Sequence, residues 1–222
     1  MKMNLMQTTQ RETRMRGFTL VELLVVIGII GVIASLVVVG IGSAKFKKWE
    51  SAALAQKAKL ELAIESYKSA YGSYPPDDPA TAALRPDRNP LAYELGGTRR
   101  AAPNFTSESN PGHVVTPAML TGYFNLPGFV NAAPPGPKLK YSLNLSGSGS
   151  TADYVITDPV PALGGAPAMF LQVPAEHPDP AVTVNVWRYR AYPAGGHNPK
   201  TYDLWAEIKQ RAPGTNFIKN WK

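Results

Sequence analysis

From Leu23 to Ala44 the chain carries no charge and no proline, and Val and Ile make up much of it. A run of that length crosses the ~30 Å hydrocarbon layer as a helix. Val and Ile favour helix less than Ala or Leu in water. In lipid, local satisfaction of every backbone group overrides that preference. One acid, Glu22, stands at the start of the run, behind the basic leader that ends Arg14-Met15-Arg16-Gly17. A carboxylate near the centre of a membrane costs about 2.5–3.5 kcal/mol on insertion scales. At the edge it still needs a partner. The nearest one with the right chemistry is a free amine at Phe18, which a cut after Gly17 would create.

The charge distribution supports this topology. The net charge is +7, of which the leader through Gly17 holds +3, from Lys2, Arg11, Arg14 and Arg16 against Glu12. Lys45, Lys47 and Lys48 follow the apolar run directly. The remaining chain is close to balanced, so it lacks the concentrated basic surface of a nucleic-acid binder. A basic leader keeps the N-terminus cytoplasmic, and the three later lysines oppose that rule. No small-residue cleavage site follows the run, since Gly42-Ser43-Ala44 is a poor substitute, so an ordinary secretory signal does not fit. With no cysteine, disulfides, thiolate metal sites and cysteine nucleophiles are excluded. A hydrophobic content of 44% sets the chain apart from disordered sequences, while 21 Pro and 19 Gly predict a loop-rich soluble part.

Arg16-Gly17-Phe18-Thr19-Leu20-Val21-Glu22-Leu23-Leu24-Val25-Val26-Ile27 resembles the prepilin signature of type IV pilins and type II secretion pseudopilins. Ile64-Glu65-Ser66-Tyr67-Lys68 and Tyr71-Gly72-Ser73-Tyr74-Pro75 resemble the helix end of the major pseudopilin. The resemblance implies an α+β, pilin-like fold. In it a long N-terminal helix, membrane-spanning first and amphipathic second, packs on a small C-terminal antiparallel sheet with long loops. It implies cleavage between Gly17 and Phe18 by a prepilin peptidase, N-methylation of the Phe18 amine, and pairing of Glu22 with the amine of a neighbouring subunit. It further implies self-assembly with other pseudopilins on an inner-membrane secretion platform, in contact with membrane lipid, with the C-terminal domain in the periplasm. No enzymatic role and no nucleic acid are expected. On physical grounds alone Glu22 has two other options. It pairs with the Phe18 amine of its own helix, or it reaches the interface.

The expected organisation is a leader at 1–17, a membrane and assembly helix at 18–44, an amphipathic helix at 45–74, a variable Pro/Gly-rich loop region at 75–137 and a sheet region at 138–222. Phe46, Trp49, Ala53, Leu60, Ile64, Tyr67 and Tyr71 recur at three- and four-residue steps and predict a core-facing stripe. Many family members carry a proline near the position of Val39. Here Gly40-Ile41-Gly42 follows instead, which predicts a flexible segment, while Gly28, Gly31 and Gly40 also suit close helix packing. Short helices are expected near 81–84 and 116–120. Strands are expected at 138–145 (Leu139, Tyr141, Leu143 and Leu145 on one face), 153–157, 168–173, 182–192 (Val182, Val184 and Val186 alternating) and 201–208. Trp187-Arg188-Tyr189 and Tyr202-Asp203-Leu204-Trp205 are similar to the family's C-terminal hairpin. The middle of the chain finds no counterpart.

The resemblance also implies a calcium loop after that hairpin. Calcium takes 6–8 oxygen ligands. The loop from Ala206 to Asn216 offers Glu207 as its one acid, with Lys209 and Arg211 adding positive charge. No cofactor is therefore expected. Asp203 and Glu207 are weak calcium candidates, and Asp203 reads better as a turn or strand-edge residue. His113, His177 and His197 lie far apart without metal-ligand spacing and read as exposed loop residues. Ser148 lacks the nucleophile-elbow pattern, and Asp77-Asp78 and Glu176 with Asp179 read as turn acids. Two rival readings stand beside the main one. The first is a minor type IV pilin of a twitching or DNA-uptake filament, with Arg188-Tyr189-Arg190 as a candidate contact. The second is a binding or enzyme domain on a plain membrane anchor.

Overall fold

The computed structural model describes residues 18–78, 85–136, 138–147, 152–156, 167–210 and 214–222, with the side chains of 36–43 excepted. The chain divides into two compact units, Met1–Ser43 and Ala44–Lys222. One helix, α1 (Leu20–Tyr71), contributes to both. In the first unit it presents Leu24, Ile27, Ile30 and Ile33 to solvent, with exposures of 55% or more. The expected membrane run passes through residues 36–43, whose side chains lie outside the described set. Among the described residues, no helix is long and apolar enough to cross a membrane.

In the second unit α1 becomes amphipathic. Ala53, Leu60, Ile64 and Tyr67 are buried, as the predicted stripe requires, with Ala63 beside them, while Phe46, Trp49 and Tyr71 are half-buried. The helix stops at Gly72, whose φ of 85° carries the chain out and whose N–H donates to Lys68 O at 2.7 Å. Glycine accepts that left-handed conformation without strain. Pro75 and Pro76 prevent its resumption.

The region 75–137, expected as variable loop, holds helix and strand among its described residues. Helix α2 (Leu91–Gly96) is buried throughout. Three short strands follow, β1 (Thr98–Ala101), β2 (Asn104–Ser107) and β3 (Val114–Val115), in an antiparallel sheet of that order. The expected helix near 116–120 is α3 (Pro117–Met119), which the Thr116 side chain caps and which continues into a π-helical turn, Leu120–Phe124. The one expected near 81–84 lies outside the described residues. The aromatic rings of Tyr93, Phe105, Phe124 and Phe129 contact one another here. Such contacts add about 0.5–1.5 kcal/mol each beyond burial, which explains how segments this short hold their place.

The C-terminal part contains β4 (Tyr154–Ile156) paired antiparallel with β5 (Met169–Leu171), both near their predicted positions. The last sheet, β6 (Arg188–Ala191), β7 (Tyr202–Lys209) and β8 (Thr215–Lys219), is antiparallel in that order. Its β6–β7 hairpin is the predicted one. Two strand expectations are corrected. Segment 138–145 alternates inward and outward as expected but forms no ladder, because its backbone joins a helix end, Leu143 N–H donating to Leu95 O at 2.6 Å. In 182–192 only Arg188–Ala191 is strand, and the inward residues are Asn185, Trp187, Tyr189 and Ala191, not the valines. The larger rings of Trp187 and Tyr189 take the core, and a shift by one residue turns every other side chain outward. Trp187 Nε1 then donates to Gln56 Oε1 at 2.7 Å, and Tyr189 donates to Pro75 O at 2.9 Å, which fixes the sheet to α1 and to the segment leaving it.

Candidate assembly site

The start of α1 is built from four residues. Thr19 is the cap and Glu22 stands three positions on. The Glu22 N–H donates to Thr19 Oγ1 at 3.2 Å. In return Glu22 Oε2 accepts the Thr19 N–H at 2.9 Å and the Thr19 hydroxyl at 2.7 Å. This is a reciprocal capping box, and it places the acid where the unsatisfied N–H groups of a helix start favour negative charge. The first helical bond, Leu23 N–H to Thr19 O, measures 3.1 Å. Thr19 is the residue of this candidate site that the reading by composition and run length misses. The Thr-x-x-Glu spacing directly before an apolar run is its signal. Among the described residues Glu22 Oε1 accepts no hydrogen bond, so the cap engages one carboxylate oxygen and leaves the other open.

Phe18 lies beside this cap with its side chain 73% exposed. Gly17 lies outside the described residues. Large apolar side chains around the acid, Leu20, Val21, Leu23 and Leu24, are exposed on the isolated chain. An apolar patch of this extent marks an interaction surface.

The weaker candidates are placed elsewhere. Asp203 is buried, and its two oxygens accept the N–H groups of His197 and Asn198, each at 2.9 Å, so it clamps the β6–β7 turn. Glu207 faces Arg188 at 3.3 Å and His177 at 3.5 Å. The two carboxylates thus serve separate partners. Among the described residues no cluster of three or more His, Cys, Asp or Glu side chains converges. The histidine expectation is corrected for His113, which is buried with Nε2 2.8 Å from the Tyr93 hydroxyl, and burial lowers its pKa. The His177 side chain is also largely covered, 3.5 Å from Glu207. His197 is exposed, as expected, and stacks on Trp221 with centroids 4.2 Å apart. Asp77 is half-buried and accepts the Ala191 N–H at 3.0 Å, so it ties the segment after α1 to the end of β6.

Residues 13–43 match the model of the prokaryotic N-terminal methylation motif. The type II secretion system core protein G of Klebsiella pneumoniae is 39% identical over 94 residues, 40% of this chain and 67% of the relative. The protein of the same name from Aeromonas hydrophila is 33% identical over 114 residues, 50% of this chain and 79% of the relative. The one from Dickeya chrysanthemi is 41% identical over 73 residues, where the chain spans about half (48%) of the relative's length. No solved structure matches the chain. A capped acid inside a methylation motif, on a helix that leads into a small antiparallel domain, therefore has its family. The chain belongs to the type II secretion system core protein G family, as a structural pseudopilin and not an enzyme.

Proposed function

We propose that the chain is cut between Gly17 and Phe18 by a prepilin peptidase, methylated at the Phe18 amine, and polymerised into a short periplasmic filament that drives protein export. The observation that carries this reading is the position of Glu22, fixed by its own cap one turn from Phe18, with one oxygen that no described residue bonds. A new amine at Phe18 would stand at the positive end of the helix dipole, where a cation is disfavoured. A carboxylate of a neighbouring copy relieves that cost. Where water is excluded, each charge alone is expensive, so every copy needs another. Residues 18–44 then sit in the inner membrane or the filament core, with the leader cytoplasmic and the second unit periplasmic. Other pseudopilins and the inner-membrane secretion platform are the partners, and no metal is required.

The test is Glu22→Ala in the full chain. Insertion and removal of the leader should persist, read by membrane extraction and by mass spectrometry. Crosslinked multimers should disappear. Multimers at the wild-type level would remove the pairing role.

A further inference from the structure

Lys45 on α1 and Lys209 at the end of β7 converge on one acid, Glu176, at 2.9 and 3.4 Å. Two ammonium groups share a single carboxylate at this corner, so one positive charge is left beyond Glu176, with Asp179 on the adjoining cavity wall. The Lys45 Nζ also lies 4.4 Å from the ring centroid of Trp49, and Phe46 meets Trp49 edge-on at 5.4 Å. Behind this corner is a cavity of about 490 Å³, walled by Trp49, Pro174, Asp179, Val184 and Asn185 among others. Its apolar wall is interrupted by hydrogen-bond acceptors. Asn185 is 5% exposed, and its Oδ1 has no hydrogen-bond partner. Lys47 and Lys48 are exposed on the same stretch of helix.

The position of this corner along the chain identifies the ligand class. The uncharged run ends at Ala44, one residue before Lys45. A bilayer entered by that run has its phosphate layer at Lys45 to Trp49. Trp is enriched at that depth, with its ring in the apolar edge and its N–H toward water. Lysines there oppose the usual charge asymmetry and need their own reason. An anion that the bilayer itself supplies gives one.

The geometry points to a phospholipid head-group site at Lys45, Lys209 and Trp49, with the phosphodiester on the two lysines and the head-group amine or hydroxyl toward Asp179 and Asn185. Glu176 holds the two lysines together, so the site is assembled before the lipid arrives. The lysine stems cover apolar surface while their charges stay at the interface. The site also joins the loop after β5 to α1 at the level of the head groups. This inference rests on the membrane reading of residues 18–44.

The experiment uses the full chain reconstituted in vesicles of phosphatidylethanolamine and phosphatidylglycerol, extracted in mild detergent and weighed by native mass spectrometry. The wild-type chain should retain one phospholipid. The double variant Lys45→Gln, Lys209→Gln should retain about tenfold less, a factor that corresponds to about 1.4 kcal/mol. Lys200→Gln, at an exposed lysine away from the cavity, should retain as much as wild type. Equal retention by the double variant, or none by wild type, overturns the site. Alkaline extraction of the same vesicles separates the two readings. A chain released by alkali sinks the membrane reading, while an embedded chain without bound lipid sinks the head-group site alone.

Discussion

The phenol of Tyr67 donates to Glu94 Oε2 at 2.7 Å, so the long helix is fastened to α2 by a buried carboxyl group. The same side chain accepts the N–H groups of Val130 and Asn131 at 2.8 and 3.1 Å. Three donors from two other parts of the unit meet on one acid that solvent does not reach. Around it Asn131 Nδ2 donates to Tyr93 O and Glu94 O, which closes the carbonyl end of α2.

Tyr67→Phe keeps the ring packing and removes one donor. At pH 8, where Glu94 is ionised, the loss should be about 1.5–3 kcal/mol, the usual worth of a hydrogen bond to a charged group. Urea melts followed by tryptophan fluorescence measure it. A change below about 0.5 kcal/mol would mean that the bond does not form in solution.

Burial pushes the Glu94 pKa up to about 7, against the pull of its three donors, and that of Asp77 up to about 6. Both folded values lie above those of the unfolded chain, so the folded state binds the proton more tightly. The stability they contribute is complete below about pH 4 and is lost as pH rises through 6 and 7. For Glu94 the loss is roughly 3 kcal/mol across that window. Asp153 has the opposite sign. Burial raises its pKa, but the bonds from Lys59 and Ser146 bring it below the ordinary value, so its share is lost in acid. Thermal melts between pH 4 and 8 should therefore fall with rising pH, and Glu94→Gln should flatten the slope. An unchanged slope in that variant would assign the effect to other groups.

Thr19→Ala and Glu22→Gln separate capping from charge. Thr19→Ala removes the cap at a cost of about 1 kcal/mol at the helix start and leaves the carboxylate in place. Multimers should still form, with faster hydrogen exchange at residues 19–23. Glu22→Gln preserves an acceptor for Thr19 and deletes the charge, and multimers should be lost. The reverse outcome would make the cap, not the charge, the requirement for assembly.

Asp203 and Glu207 yield a prediction about metal. Since Asp203 holds the N–H groups of His197 and Asn198 and Glu207 holds Arg188, calcium or its chelation should leave Tm unchanged. Asp203→Ala should cost about 1–3 kcal/mol, the penalty for leaving buried donors unmet, with calcium present or absent. A calcium-dependent rise in Tm that Asp203→Ala abolishes would restore the metal site.

The helix and its buried stripe are legible because their period is local. Ala53, Leu60, Ile64 and Tyr67 announce one face through spacing alone. The β6–β7 hairpin is legible for the same reason. Short strands held by distant rings are not. Nothing near Thr98 in the sequence states that Phe129 and Tyr93 will stack 4.8 Å apart and anchor the region. The valines at 182, 184 and 186 mislead because alternation fixes a period but not which face is inner. His113 misleads because its partner, Tyr93, lies 20 residues away. At the assembly site the acid was plain from its isolation in an apolar run. The Thr19 cap escapes that reading, because the Thr-x-x-Glu spacing becomes a statement about geometry only when the two side chains meet.

That cap bears on maturation. Among the described residues, each donor to the Glu22 carboxylate belongs to Thr19. Under the proposed processing, scission after Gly17 would delete flanking charge and expose a new terminus, and the Thr19–Glu22 bonds lie wholly on the retained side of the cut. On that reading the protease and the growing polymer would meet the same capped turn, and ripening would alter its electrical character while these bonds stay in place.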